Sequence, residues 1–339
     1  MGKTGKASIH FVTNVYIAEK ASVVGKKEGE GPLGALFDEV IQDPNIGKNT
    51  WEEAESELQK KVVELLFSKS GLESRDIRYI FSGDLLGQII ATSFGIADFQ
   101  IPFFGLYGAC STMGESMSLA AAFVEMGFAD NVIAMTSSHF ASAEKQFRYP
   151  LEYGNQRPLS ATWTVTGAGG VILSSKIKGG VKITGITTGK IVDYGVMDSM
   201  NMGAAMAPAA CDCIYNNFMD FEIEPDYYDA IYTGDLGKVG QRILIDLMQE
   251  KGFDISKNHH DCGIEIFEDS YQDTHAGGSG CGCSAVTLCA HIIKQMLEGF
   301  YKRVLFVPTG ALLSTTSFNE GKSVPGIAHA VMLERVEEK

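Results

Sequence analysis

The chain has 339 residues, with 28 lysines and arginines against 42 aspartates and glutamates, a formal charge of −14, and 45% hydrophobic residues. That many apolar side chains can offset chain entropy, which excludes a disordered polar chain. The acidic balance weighs against a generic nucleic-acid binder, whose phosphate partner demands a basic footprint.

Read from its start, the segment MGKTGKASIHFVTNVYIAEKA lacks the apolar core of a signal peptide. Residues 50–67 give the clearest helix: Thr50 and Glu53 form a capping box, Ala54, Leu58, Val62 and Leu65 share one face, and Gly71 ends it. A strand is expected at 77–84, a helical stretch at 85–96, and a buried strand at 101–107 from its unbroken apolar run. Residues 108–127 read as a tight turn feeding a small-residue helix, 131–138 as a strand, and 162–176 as a strand pair with a Gly-rich corner. The Met-rich stretch 194–210 reads as loop packing or a dimer surface. The second half follows with a strand at 227–235, an amphipathic helix, a strand at 263–270, a Gly/Cys turn feeding a helix at 277–299, and strands at 303–308 and 326–334. The longest uncharged stretch, Phe99 to Gly114, is too short and too broken by Pro102 and glycines to span a bilayer. Seven cysteines, an odd number without a secretory signal, fit reduced thiols in a cytoplasmic-type compartment. The expectation is therefore a soluble chain that sits at a membrane only through partners or a peripheral contact.

The order of elements repeats. SGDLLGQ (82–88) matches TGDLGKVGQ (233–241), setting Asp84 opposite Asp235. GACSTMG opens the helix that ends at Gly127, and GSGCGCS opens the one that ends at Gly299. At equal distance before those glycines stand Cys110 in one half and Gly282, between Cys281 and Cys283, in the other. This reads as two fused copies of one α/β unit, residues 1–176 and 177–339, with mostly parallel sheets covered by helices. Ligand sites in such sheets lie at the carboxyl ends of strands, so the site is expected where the two Gly/Cys turns meet.

Two α/β copies with a Cys on a strand-to-helix elbow resemble the thiolase-like superfamily, over nearly the whole chain. GACSTMGESMSLAAAFVEMGFADNVIAMTSS (108–138) is similar to the nucleophile region of type III ketoacyl-carrier-protein synthases, TWTVTGAGGVIL (162–173) to their Gly-rich segment, and VLFVPTGALLS (304–314) to their C-terminal strand-turn. The resemblance implies a layered αβαβα architecture. NMGAAMAPAACDC (201–213), GDLGKVGQ (234–241) and THAGGSGCGCSA (274–285) resemble a sporulation-associated branch of that superfamily. Members of that branch are associated with binding dipicolinic acid (pyridine-2,6-dicarboxylate) and with its uptake into the developing spore, beside membrane proteins of the same operon at the spore inner membrane. A homodimer is implied by the same analogy. No cofactor is expected, Ca²⁺ entering only as a chelate with dipicolinate.

Cys110 is the sharpest position, since a thiol at a helix N-terminus feels aligned N–H groups and an elbow offers an oxyanion hole. The condensing synthases also need a His and an Asn. Their places here fall at Thr233 to Gly237 and near Gly278 to Gly280, where neither residue type occurs. The reading is thus a binding protein with no catalytic residue, and the alternative is an acyltransferase or thiolase-type condensing enzyme acting through Cys110. Candidate ligand-binding residues are Cys110, His139 at a carboxyl strand end, Arg157 as a carboxylate partner preferred over Arg148 in the loop 145–161, Lys238, the loop pair His259 and His260, and Cys281 and Cys283 on the second turn. Asp84 and Asp235 read as helix N-caps, and His10, His291 and His329 as structural. Cys211-x-Cys213 and Cys281-x-Cys283 have one intervening residue where zinc sites use two to four, so no metal is expected.

Overall fold

The structure, a computed structural model, describes residues 2–148 and 156–337, so residues 149–155 of the loop 145–161 lie outside it. Ten strands form its main sheet path: β1 (Ser8–Gly25), β2 (Tyr79–Gly83), β3 (Phe103–Gly105), β4 (Asn131–Ser138), β5 (Gly167–Ser174), β6 (Val181–Thr188), β7 (Ala230–Thr233), β8 (His259–Asp261), β9 (Arg303–Val307) and β10 (Gly326–Arg335). They lie side by side in the order β8-β7-β9-β10-β6-β1-β5-β4-β2-β3. Outward from the β1–β6 seam, each half takes the same path: its first strand, then its fifth, fourth, second and third. The seam is antiparallel, with Ile9 opposite Ile186 and Val15 opposite Ile183.

The inner pairs are antiparallel and only the outer ones, β2 with β3 and β4 and β7 with β8 and β9, are parallel. The mostly parallel sheet expected from the sequence is corrected to a mixed one. An unbroken apolar run reports burial on both faces, not the direction of the neighbouring strand.

Helix α1 (Trp51–Ser70) carries the capping box: Thr50 accepts from the Glu53 N–H, the Glu53 carboxylate accepts from the Thr50 N–H, each at 3.2 Å, and Gly71 closes the helix at φ 74°. With α2 (Ile90–Ile96) it covers one face of β1, β4 and β5. On the other half α5 (Met202–Phe221) and α6 (Gly237–Glu250) pack together, α5 lying on β6 and β10. Between the halves run α3 (Thr112–Glu125) and α7, which starts at Cys281–Thr287 and continues without a break to Leu297. These central helices are built of small residues because backbone meets backbone there. A Cβ on Gly114 would stand 2.8 Å from the His329 carbonyl, and one on Gly169 of β5 2.5 Å from the Ala285 carbonyl carbon.

Three further expectations change. The 101–107 run forms the outermost strand, with Phe103 37% and Phe104 41% exposed, so it is an apolar edge and not a buried strand. Residues 263–270 are not a strand. Asp261 accepts from the Ile264 N–H and starts the short helix Cys262–Glu265, Glu268 starts Asp269–Gln272, and the strand lies earlier as β8. The Met-rich stretch enters α5, whose Met206, Ala207, Ala210 and Cys211 are buried in the core. Strands β1 and β6 carry charged residues such as Glu19, Lys20 and Lys182 that interrupt their apolar pattern, and the sequence reading passed over both.

Gly169→Val is expected to destabilise the protein by about 3 kcal/mol, because the Ala285 backbone cannot yield to a branched side chain. Urea unfolding measures this, and an unchanged midpoint would contradict the close approach.

Candidate functional site

The chain leaves β3 at Gly105 and turns into α3 through the single helical turn Ala109–Ser111. Ala109 sits at φ 50°, a left-handed conformation that costs a non-glycine residue free energy and bends the chain sharply at this elbow. Cys110 follows at the head of α3, 6% exposed. Gly310 allows the opposite strand to close on the turn: a Cβ there would lie 2.6 Å from the Gly108 carbonyl and 3.0 Å from the Ser111 nitrogen. From the other half, Gly280 at φ 95° opens α7. The two Gly/Cys turns therefore meet, as the repeat predicts. Cys110, Leu85, Ala143 and Cys281 pack as one cluster, with Phe147 against it. A pocket of about 310 Å³ opens above Cys110, walled by Leu85, Tyr107, Phe147, Thr164 and Leu313.

Asp235 governs the electrostatics. It is fully buried after β7, accepts from the Gly280 N–H at 3.0 Å and the Thr309 hydroxyl at 2.9 Å, and is hydrogen-bonded to the Cys110 thiol. Burial raises its pKa to about 7, with the nearby Asp261 adding to the rise. Burial, then the charges of Asp235 and Cys281, push the Cys110 thiol well above its ordinary range. A thiol needs a cation, a base or a bare helix end to ionise at neutral pH. Here an acid stands beside it, and a donor of the second turn is already committed to that acid.

Asp235 is not the N-cap that its position suggests. Asp261 does that work, accepting from the N–H groups of Leu236 and Gly237 at 2.9 and 3.0 Å. Asp84, the repeat partner, turns inward on its own half, accepting from Leu86 N–H and from Thr92 through both N–H and hydroxyl.

The other sequence candidates disperse. Cys281 lies beneath the pocket, its Sγ donating to the Ser137 carbonyl at 2.9 Å. Cys283 points into the main core toward the Gly234 carbonyl. His259 is buried at β8 between Thr233 and Gln241, and burial lowers its pKa to about 3. His260 stacks on Tyr232 and bonds Glu265 at 2.8 Å. Lys238 pairs with Asp269 at 2.8 Å on the surface. None of these three lines the pocket. In a β-strand a loop pair can be drawn into the ladder, which is what removes His259 and His260 from the site. His139 caps α4 (Phe140–Phe147), its Nδ1 accepting from the Ala141 N–H while Nε2 faces the Pro44 carbonyl at 2.9 Å. Arg157 is held by Asp273 at 3.1 Å. Both line a different hollow on the far side of α4.

The pocket instead receives Arg148 and Glu144 from the end of α4. Arg148 Nη1 donates to Glu144 Oε1 at 2.7 Å, Glu144 Oε2 is buried with no partner among the described residues, and burial raises the Glu144 pKa. Sequence reasoning named Arg148 but preferred Arg157. The helical spacing of Glu144 and Arg148 was the available signal. Among the described residues no group of three or more His, Cys, Asp or Glu could hold a metal ion, and no helix is long and apolar enough to cross a membrane.

The family profile described as stage V sporulation protein AD matches residues 5–334. The stage V sporulation protein AD of Bacillus subtilis (strain 168) is 44% identical over 335 residues, covering 99% of this chain and 98% of that protein. Two solved structures share the fold at 12% identity: a 3-oxoacyl-[acyl-carrier-protein] synthase III from Aquifex aeolicus VF5, with TM-score 0.56 over 94% of this chain and 99% of that one, and the Acat5 thiolase from Ascaris suum in complex with coenzyme A, with TM-score 0.57 over 96% and 100%. The architecture is thus thiolase-like, as the sequence resemblance implies.

Asp235 makes a testable contribution to stability. Its folded pKa, about 7, lies above the ordinary 3.8. The folded state therefore holds the proton more tightly, and the stability this confers is present at low pH and lost as pH rises through about 7. Asp235→Asn keeps a neutral side chain, so its thermal midpoint is expected to fall less than that of the wild type between about pH 4 and pH 7. Parallel midpoint curves for the two proteins would contradict a buried, protonated Asp235.

Proposed function

The chain belongs to the stage V sporulation protein AD family, and from that premise we propose that it is a thiolase-fold binding protein that takes dipicolinic acid into the Cys110 pocket and supports its uptake into the developing spore, without acyl transfer. The observation that carries this reading is the state of the thiol: burial, with the charges of Asp235 and Cys281, pushes Cys110 well above its ordinary range and so disfavours the thiolate that acyl transfer uses. The pocket offers complementary groups. Arg148, paired with Glu144, presents a guanidinium, and Tyr107, Phe147 and Leu313 supply apolar walls for a flat ring. Ca²⁺ enters this reading only as the ligand's chelate.

The same reading makes membrane proteins of the sporulation operon the partners that hold the protein at the spore inner membrane. A charge of −14 gives no attraction to anionic lipid by itself. It also includes a homodimer formed through β3. Among the described residues that strand ends the sheet, and Phe103, Phe104, Tyr107 and Phe128 are exposed around it. A second copy adding its own β3 would cover the edge and these side chains. Sedimentation is expected to give a dimer and Phe104→Glu a monomer. A monomeric wild type would remove this part of the reading.

The second reading, acyl transfer from a thioester through Cys110, is favoured by the strained elbow at Ala109 and by the position of the thiol at the head of α3. Incubation with acetyl-coenzyme A followed by mass spectrometry separates the two. Cys110 is expected to remain unmodified, and an acetyl adduct there would favour the enzyme.

Isothermal titration with dipicolinate, with and without Ca²⁺, tests binding itself. Saturable binding is expected, lost in Cys110→Trp and weakened about tenfold or more, a loss of about 1.4 kcal/mol, in Arg148→Gln. No binding at millimolar ligand would overturn the proposal.

A further inference from the structure

A second hollow, of about 840 Å³, lies across α4 from the Cys110 pocket. The two are separated by the helix and by the short strand Trp163–Thr164. Ala143, Glu144 and Phe147 face the pocket, while His139, Phe140 and Ala141 face the hollow. Along the strand Thr164 faces the pocket and Trp163 the hollow, as alternation requires.

Trp163 is stacked face to face on Phe140, with ring centroids 3.9 Å apart and 9° between planes. Two cations converge on the same indole. Lys27 Nζ lies 4.0 Å and the Arg157 guanidinium 4.9 Å from its centroid. The Arg157 side chain is only 2% exposed. Its Nη2 donates to the carbonyl and carboxylate of Asp273, at 2.9 and 3.1 Å. Among the described residues its Nε and Nη1 are buried and have no partner. Lys27 donates to the Gln272 carbonyl. Burial, then repulsion from Arg157, holds its pKa below the ordinary value. The carboxylate that pairs with Arg157, Asp273, engages it through Nη2. Asp273 is 76% exposed, Glu30 is engaged at the rim with Lys26, and Glu28 is buried with its pKa raised to about 7 and one oxygen unpartnered.

We propose that this hollow is a second binding site, separate from the Cys110 pocket, for a small anionic group, a carboxylate or a phosphate, held by the unpartnered N–H groups of Arg157 together with Lys27. Buried guanidinium donors left unused at Nε and Nη1 are costly, and an anion satisfies them. Trp163 has Phe140 and Lys27 against it, so the site recognises the charged group of its ligand and not an aromatic ring. The inference does not rest on dipicolinate binding.

The chain's two tryptophans, Trp51 and Trp163, both line this hollow, so fluorescence excited selectively at tryptophan reports on it alone. Full-length protein is titrated with inorganic phosphate in one arm and acetate in the other, neither of which absorbs at the excitation wavelength. A saturable change is expected in at least one arm, which identifies the anion. Arg157→Gln and Lys27→Met are each expected to weaken it about tenfold, and Lys60→Gln, a surface change at a distance, to leave it unaltered. Lys27→Met decides the matter if Arg157→Gln does not fold. No saturable change with either anion, or equal binding by wild type and the folded variants, would overturn the proposal.

Discussion

Two helices occupy the centre of this molecule with almost no face to water, and the rest of the structure is arranged around the room they leave. Backbone approaches backbone at Gly114, Gly169 and Gly282, the last placed so that a Cβ would stand 2.5 Å from the Gly167 carbonyl. Interiors are packed to crystal density, so these positions accept no side chain without moving a sheet. Because α3 and α7 come from equivalent places in the two halves, packing them side by side brings their N-termini together. The location of the pocket follows from that, before any chemistry is considered.

The chemistry then depends on which halves of each pair diverge. Asp84 and Asp235 stand at matching places after matching strands. Asp84 spends both oxygens on its own half, on Leu86 and Thr92. Asp235 reaches across to Gly280 at the head of α7 and to Thr309, and so meets the thiol from the first half. One copy of the residue stabilises a turn, and the other sets the proton affinity of the site. A carboxyl in that role, pushed up to about 7, gives the pocket a hydrogen-bonding floor and holds the neighbouring sulfur as a thiol.

Much of this was legible in the sequence because it is local or repeated. The capping box of α1, the turn after Gly105, the strand at Asn131–Ser138 and the echo of SGDLLGQ in TGDLGKVGQ are statements about neighbours along the chain or about two copies of one pattern. What escaped depends on contacts between segments far apart. Asp261 takes the capping role expected of Asp235 from 26 positions away, and only the fold brings it there. His259 and His260 look like a free loop pair until β8 joins β7. Arg148 and Arg157 flank one loop, yet α4 sends them to opposite sides. The apolar run at Phe103 and Phe104 looks buried because composition does not tell an interior strand from one at the end of a sheet.

All seven cysteines are buried and unbridged, and burial raises the pKa of each. Oxidation of cysteine proceeds through the exposed thiolate, and this chain offers almost none. Its thiols therefore age slowly whatever the surrounding redox potential. For a member of a sporulation family that is a material property as much as a chemical one. This fold keeps its thiols out of reach for as long as it stays folded.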